Sequence, residues 1–463
     1  MSTSLTATTA QPATTERNLI LDYYDRLPAV IEHLGEPTAP VEDLDAFSPG
    51  FELPELDDAV REYFSVAGAA LHVLGEYADS RLLLLDLMRN PGTNTTKTVA
   101  SLLIVARAVQ YIRRTGTGVL IFSPTSANKG TALRDAVARA LAARLATPEQ
   151  LRIVTLAPAG CLPKLRANAL SADPSLRALN PVLVYDGAQP EEVKALGKEF
   201  ATRHGADVAG GAGCRLWFSL ELRNYLVADA ARAFLEQDVS PARADRTHAH
   251  AVSSAFGLLG YSLGRDLLER QGLAAARDRG GYLLVQHLGT PDMVLSLHHG
   301  SPDRAAMPRY TLDADTGLYR QEESAHFPLT TFDPAEVLDP TFYTRAPATS
   351  AAMNELIERF GGAGIVVSLR ECLDRYPRLR PLFASTSRPL PADFRTLREW
   401  SLVMASTGVL GALDRGVIKD GGEIVVHGSG SYTTADYEPL DARATTMVRT
   451  VDDILAALRR APA

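Results

Sequence analysis

Cysteine is scarce in this sequence. Its 463 residues hold three, Cys161, Cys214 and Cys372, far apart and odd in number. They form no disulfide framework and no Cys-x-x-Cys pair, so a reducing, cytoplasmic setting is expected. Long apolar runs are missing as well. Stretches such as Leu82 to Leu85 fall far short of the roughly 20 residues of a membrane-spanning helix. There is no basic run either. The 47 Lys and Arg residues stand against 55 Asp and Glu, a net charge of −8. That balance argues against nucleic acid or an anionic membrane surface as the main partner. It does not argue against a small anion, because a single site can be positive on an acidic protein. No cluster with the spacing of a metal site stands out.

What remains is an ordinary soluble composition, 46% apolar and 22% charged. The length exceeds what one core usually serves, so two packed domains are expected. Residues 1–17 are rich in Thr, Ser and Ala and lack the basic start and apolar stretch of a signal peptide. They read as a disordered tail. Residues 18–79 read as a helical N-terminal cap. Within Leu56 to Leu74, Val60, Tyr63, Phe64, Val66 and Ala67 recur at helical spacing.

From Arg81 short β-rich runs alternate with amphipathic stretches. Leu82–Leu85, Gly118–Phe122, Ile153–Leu156 and Val182–Tyr185 are candidate strands, and Ser101–Arg113 and Gly130–Leu145 are candidate helices. A second series follows Asp245, with strands at Thr247–Val252, Tyr282–Val285 and Glu423–Val426. Helices are expected at Gly257–Gln271 and over most of Pro389–Gly411, while Met307–Pro347 reads as loop and insertion. The predicted class is α/β: two doubly wound, sheet-centred domains, at 80–239 and 240–463. Ligands in such folds bind at the carboxyl ends of the strands.

Four segments sit where that rule directs attention. Asn90-Pro91-Gly92-Thr93-Asn94-Thr95-Thr96-Lys97 is a turn-rich loop opening a helix. The helix dipole there disfavours a cation. With burial, it would lower the pKa of Lys97 and leave the neutral amine that Schiff-base chemistry requires. Ser126-Ala127-Asn128-Lys129-Gly130 and Ser253-Ser254-Ala255-Phe256-Gly257 each join a strand to a helix. The second suits an anion, because small residues let backbone N–H groups converge at a helix N-terminus. Gly428-Ser429-Gly430-Ser431-Tyr432 ends the last strand, where glycines permit close approach and serine offers a neutral hydroxyl. Singly, each has a plainer reading: an exposed lysine, a helix cap, a βα turn, a hairpin loop.

Together, in order and spacing over roughly residues 80 to 440, they resemble the fold-type II pyridoxal-phosphate enzymes of the tryptophan synthase β superfamily. Threonine synthase and cysteine synthase are the most similar. The first segment resembles that family's Asn-Pro-Thr-Gly-Ser-Phe-Lys loop, and the second its Ser-Gly-Asn-His-Gly loop. The third resembles the Ser-Gly-Asn-Phe-Gly phosphate loop of threonine synthases. The fourth is similar to the segment that meets the pyridine nitrogen. Leu216 to Gln237, with Trp217, Arg223 and Asn224, is similar to the threonine-synthase stretch carrying Asn-Trp-Arg.

The resemblance implies pyridoxal 5′-phosphate in the interdomain cleft, bonded to Lys97. Asn128 would meet the cofactor ring, Ser253, Ser254, Ala255, Phe256 and Gly257 would cradle the phosphate, and Ser429 would face the ring nitrogen. Thr93, Asn94, Thr95 and Thr96 would contact the substrate. It implies a lyase or transferase carrying out β- or γ-elimination or replacement on an amino acid with an activated side chain, in a homodimer.

Departures from the pattern are concentrated near the substrate. Thr98-Val99 replaces an acidic-then-basic pair, and one residue is extra between Pro91 and Lys97. Lys129 stands for a histidine, and Ser254 and Ala255 for Gly and Asn. These changes also leave room for a catalytically silent relative that binds the cofactor for regulation or assembly. A nucleotide- or phosphometabolite-binding α/β protein is a further rival. His248 and His250 alternate on one strand but have no third ligand nearby. The Arg and Ala alternation from Arg134 to Arg144 reads as a solvated helix face.

Overall fold

In a computed structural model, residues 5–7, 15–35, 38–43 and 46–459 are described. The chain begins with two short strands, β1 (Leu5–Ala7) and β2 (Thr15–Asn18), both antiparallel to β3 (Gly68–Tyr77). The expected disordered tail is therefore strand where it is described, and the rest of it lies outside the described residues. The expected helical cap is shorter than the sequence suggests. Helices occupy Leu27–Leu34 and Asp58–Phe64, but the chain then enters β3. Ala78 and Asp79, both at positive φ, turn it into β4 (Ser80–Asp86), the two-residue loop that right-twisted hairpins favour. Local spacing from Leu56 to Leu74 is helix-like, but pairing with the Leu82–Leu85 run decides the conformation after Ser65.

Strands β5 (Gly118–Pro124), β6 (Leu151–Pro158), β7 (Val182–Tyr185) and β8 (Cys214–Phe218) follow, then β9 (Arg246–Ala251) and β10 (Gly281–His287). The 307–347 insertion holds a small sheet of β11 (Thr311–Asp313), β12 (Leu318–Arg320) and β13 (Thr330–Thr331). The chain closes with β14 (Gly362–Val367), β15 (Leu397–Glu399), β16 (Glu423–Gly428), β17 (Tyr432–Thr433) and β18 (Thr445–Val448). Within Pro389–Gly411 a short 3-10 turn at Phe394–Thr396 leads into β15, and the α-helix starts only at Ser401 and runs to Asp414.

Two principal sheets result. The larger runs β1-β3-β4-β16-β9-β10-β14, with β2 also on β3, and its last five strands are parallel. The smaller, wholly parallel, runs β18-β7-β6-β5-β8. Two sheet-centred α/β units are thus present, but they do not divide at 239/240. Strand β4 pairs with β16 near the other end of the chain, and β18 returns to β7. The closing helix Val451–Arg459 packs Val451 and Ile454 with Val193 and Phe200 of the helix Glu192–Ala212.

The helix Asn128–Ala142 is not the solvated rod its Arg and Ala alternation suggests. Ala132, Leu133, Ala136, Val137 and Ala140 are buried, and so is Arg134, which donates to the Asn180 carbonyl at 2.8 Å. Charge is also buried between the helix Leu222–Val239 and the large sheet. There Arg246, 1% exposed, donates to Glu236 at 2.8 Å and to Glu423 at 2.7 Å. Arg246→Met leaves both carboxylates without that cation, and a loss of about 3–5 kcal/mol is expected by chemical denaturation. A change below about 1 kcal/mol would show that the carboxylates find other partners.

Candidate functional site

The carboxyl ends of the parallel strands in the two sheets face one cleft of about 160 Å³, far more than a single water needs. Strand β4 leads to Lys97, β9 to Ser253–Gly257 and β16 to Ser429, while β5 leads to Asn128 from the smaller sheet. Because β4, β16 and β9 are neighbours, three loops far apart in sequence open side by side. They are also stitched together. The Thr96 amide donates to the Ser429 carbonyl at 2.9 Å, and Thr95 bridges Gly430. A Cβ on Gly430 would lie 2.7 Å from Glu399 Cγ, so glycine there lets Glu399 pack against the Ser429 loop.

Lys97 is the first residue of the helix Lys97–Thr115 and lines the cleft. Its Nζ lies 5.5 Å from the centre of the Tyr225 ring and has no hydrogen-bond or ion-pair partner among the described residues. Burial lowers its pKa. Asp229 and Glu399 pull it back up, and Arg232 lowers it further. The outcome is an amine tilted toward its neutral, nucleophilic form.

Ser253–Gly257 forms the turn before the helix Phe256–Arg270. Ala255 holds a left-handed conformation at φ 50°, and in the other cleft loop Ala127 sits at φ 86°. These are positions where glycine or asparagine is at ease, and strain of this kind gathers at binding sites. The Thr349 hydroxyl anchors the turn by donating to the Ser254 carbonyl at 2.7 Å. Beside it lies Arg232, 1% exposed, so close that a Cβ on Gly257 would meet its Nη1 at 2.5 Å. Arg232 donates to Asp229 and, at 2.7 Å, to Thr96 Oγ1. A helix N-terminus thus opens on this end of the cleft, with Arg232 behind it, its charge met by Asp229.

Two hydroxyls facing the cleft lack partners among the described residues, Thr95 Oγ1 and Ser429 Oγ, and the buried His250 ring lies beside them. Buried polar atoms are almost always hydrogen-bonded, so their convergence on one space marks a ligand site. Burial, then Arg232 and Lys97, push the His250 pKa well down, which keeps that ring neutral. His250 and His248 lie on one face of β9, as their alternation predicts, both against His427. Among the described residues no group of three or more His, Cys, Asp and Glu is placed to hold a metal ion.

The expected substrate residues are brought only partly into the cleft. Thr95 and Thr96 line it, but Thr93 and Asn94 do not. Thr93 Oγ1 is spent on Thr98 Oγ1 at 2.6 Å, and Asn94 Oδ1 accepts from Arg166 at 3.0 Å. Both side chains hold the loop itself together. Asn128 does line the cleft, but its amide is gripped: Nδ2 donates to Glu399 at 2.6 Å, and Oδ1 accepts from Tyr432 at 2.9 Å.

Sequence reasoning missed other lining residues. Tyr225, Asp229 and Arg232 follow Asn224 at helical spacing on Leu222–Val239, and that spacing was the available signal. Trp217, Asn224 and Arg223 instead join a network around Glu221 and Arg107, outside the cleft lining. Thr341 to Thr344 of the insertion also line the cleft, as do Lys129 and Lys194. No pattern in the sequence placed Lys194 or the insertion there.

Comparison with solved structures finds this architecture again. Threonine synthase from Escherichia coli superposes with a TM-score of 0.53 at 15% identity, covering 94% of this chain and 86% of that one. Pyridoxal-phosphate-bound threonine synthase from Brucella melitensis gives a TM-score of 0.49 at 12% identity, over 82% and 79% of the two chains. At such identities the likeness is one of fold, and the fold is that of the fold-type II pyridoxal-phosphate enzymes. No curated protein sequence matches, and no helix among the described residues is long and apolar enough to cross a membrane. A family described as one of unknown function, DUF6002, matches residues 15–462, and the chain belongs to that family.

Proposed function

We propose that this protein binds pyridoxal phosphate through Lys97 and catalyses elimination or replacement at the side chain of an amino acid. One observation carries the reading. The unpartnered amine of Lys97 shares a single cleft with an anion-binding turn and with the unpartnered hydroxyl of Ser429. The likeness of the fold to a threonine synthase supports an amino acid as substrate. When bound, pyridoxal phosphate supplies an electron sink for bonds at the substrate Cα.

The chain's own groups do the rest. The Ser253–Gly257 amides and hydroxyls hold the phosphate, and Arg232 adds a positive charge beside it. Ser126 and Thr95 offer neutral hydroxyls to the substrate carboxylate. Lys97 Nζ, once free, takes the proton from the substrate Cα, a role its lowered pKa fits. The gripped amide of Asn128 fixes one wall. The purified protein is expected to be yellow, and to turn over activated serine or homoserine derivatives. A colourless protein that gains no visible band on adding the cofactor would end the proposal, and colour without turnover would leave a binding protein.

Ser429 then selects the reaction. A carboxylate near the ring nitrogen would hold a proton there, whereas a hydroxyl is neutral and donates to the bare nitrogen. The weaker sink suits expulsion of a good leaving group over transamination. Ser429→Asp is expected to shift the visible band and lower elimination turnover on the order of 10-fold, the effect of about one pKa unit at the nitrogen. Ser431 lies outside the cleft lining. A response to Ser431→Ala with none to Ser429→Ala or Ser429→Asp would reverse the assignment.

A further inference from the structure

The cleft has a second positive end. Lys129, 7% exposed, donates to Ser219 Oγ at 3.3 Å, and Lys194 donates to Thr344 Oγ1 at 3.0 Å. Neither makes an ion pair among the described residues. The buried acids nearby are already committed, and Glu191, three residues before Lys194, is exposed and makes no ion pair with either lysine among the described residues. Asp229 is held by Arg232, Glu221 by Arg107 at 2.9 Å and Arg223 at 2.8 Å, and Glu399 by Lys164 at 3.1 Å. Lys164 shows how this protein normally buries an ammonium, with Asp339 at 2.7 Å besides Glu399. Lys129 and Lys194 are left with hydroxyls. Two such amines, near each other and near Lys97, can hold their protons together only at a cost, which an anion between them would remove. The strain is visible in Lys129, whose pKa falls to about 7 through burial and then through Lys97 and Lys194.

The two lysines stand apart from the phosphate turn. Their helices follow β5 and β7 of the smaller sheet, and Ser219 follows β8, while Ser253–Gly257 follows β9 of the larger one. An anion on the turn therefore leaves this end unmatched. We infer that Lys129 and Lys194 form a subsite for an anionic group on the side chain of the substrate, so that the amino acid taken is acidic, phosphorylated or sulfonated rather than neutral. The inference rests on the reading of the cleft as an amino-acid site. Tyr343, against which Lys194 Nζ lies at 5.3 Å from the ring centre, closes the same end.

The experiment titrates the holoenzyme with isosteric pairs: L-aspartate and L-asparagine, L-glutamate and L-glutamine, O-phospho-L-serine and L-serine. Binding is followed by the cofactor's visible band and, separately, by ligand-induced thermal shift. At least one anionic member is expected to bind about 10-fold or more tightly than its neutral partner, as charge-assisted hydrogen bonds would give. Lys129→Gln and Lys194→Gln should each reduce that ratio about 10-fold, while Lys129→Arg retains it. Inorganic phosphate should compete with the anionic member only. A ratio near one for every pair in the wild type overturns the inference, as does equal weakening of both members, which would place the α-carboxylate there. Should no visible band exist, the cofactor reading fails while the thermal shifts still decide on the subsite.

Discussion

Lys97→Ala is expected to yield a protein with no lysine adduct after borohydride treatment and with turnover reduced about 10³-fold or more, since both the covalent anchor and the base at Cα are lost. Mapping matters because three lysines share the cleft, and burial lowers the pKa of each. Depressed basicity alone does not choose among them. Lys97 is distinguished by position: it opens a helix beside β16 and the Ser429 loop, and its Nζ has no partner among the described residues. Lys129 and Lys194 hold hydroxyl contacts with the smaller sheet and the insertion. In the wild type, peptide mapping is expected to find the reduced pyridoxyl group on Lys97. An adduct on Lys129, on Lys194 or on no lysine would overturn the assignment. Attachment should also depend on pH in a particular direction. The reacting form is the neutral amine, and burial lowers the pH at which that form appears. As pH drops, the rate of cofactor uptake is therefore expected to fall at a lower pH than it would for an exposed lysine. A rate that falls already in the range of an exposed lysine would show that Lys97 is solvated.

The four segments that line the cleft were legible because each follows a strand, where a short buried run gives way to small and polar residues. Glu423–Val426 could be read as a buried strand, but its place between β4 and β9 could not, since pairing across more than 300 residues leaves no local trace. That single insertion carries Ser429 beside Lys97. It also explains why the division of the chain at 239/240 failed. The small-sheet strand β18 has no signal beyond Thr445–Val448 itself, and only its register with β7 shows where it belongs. Thr93 and Asn94 were misplaced for a related reason. A motif gives their order along the chain, whereas Arg166 and Thr98 settle their direction, and neither partner is implied by the motif. Helical spacing puts Arg232 on one face with Tyr225 and Asp229, but nothing in the Leu222–Val239 helix announces that Gly257 will pack on its guanidinium.

Ser253→Asp combined with Ser254→Asp is expected to weaken cofactor binding by at least about 10³-fold, so that the protein purifies colourless. The turn is partly exposed to the cleft, which gives the longer side chains room, and Thr349 holds the Ser254 carbonyl from outside. The backbone should survive the change, and circular dichroism with thermal melting checks that it does. What changes is the sign of the charge. In the wild type, helix N–H groups and two hydroxyls would face the anion, with Arg232 behind them. In the variant two carboxylates stand within a few ångströms of a dianion. At an effective dielectric constant near 20, one pair of unit charges about 4 Å apart repels by about 4 kcal/mol, already close to 10³-fold in affinity. Arg232 offsets little of this, because Asp229 already engages it. Ser253→Ala with Ser254→Ala separates charge from lost hydrogen bonds. Two neutral contacts at about 0.5–1.5 kcal/mol each predict a fall of roughly 5- to 150-fold, so the alanine variant should remain pale yellow at high cofactor concentration while the aspartate variant does not. Equal affinities in the two variants would mean that no charge repulsion acts at the turn. Wild-type affinity in the aspartate variant would move the phosphate away from β9, and Lys129 and Lys194 would then be the cations left to receive it.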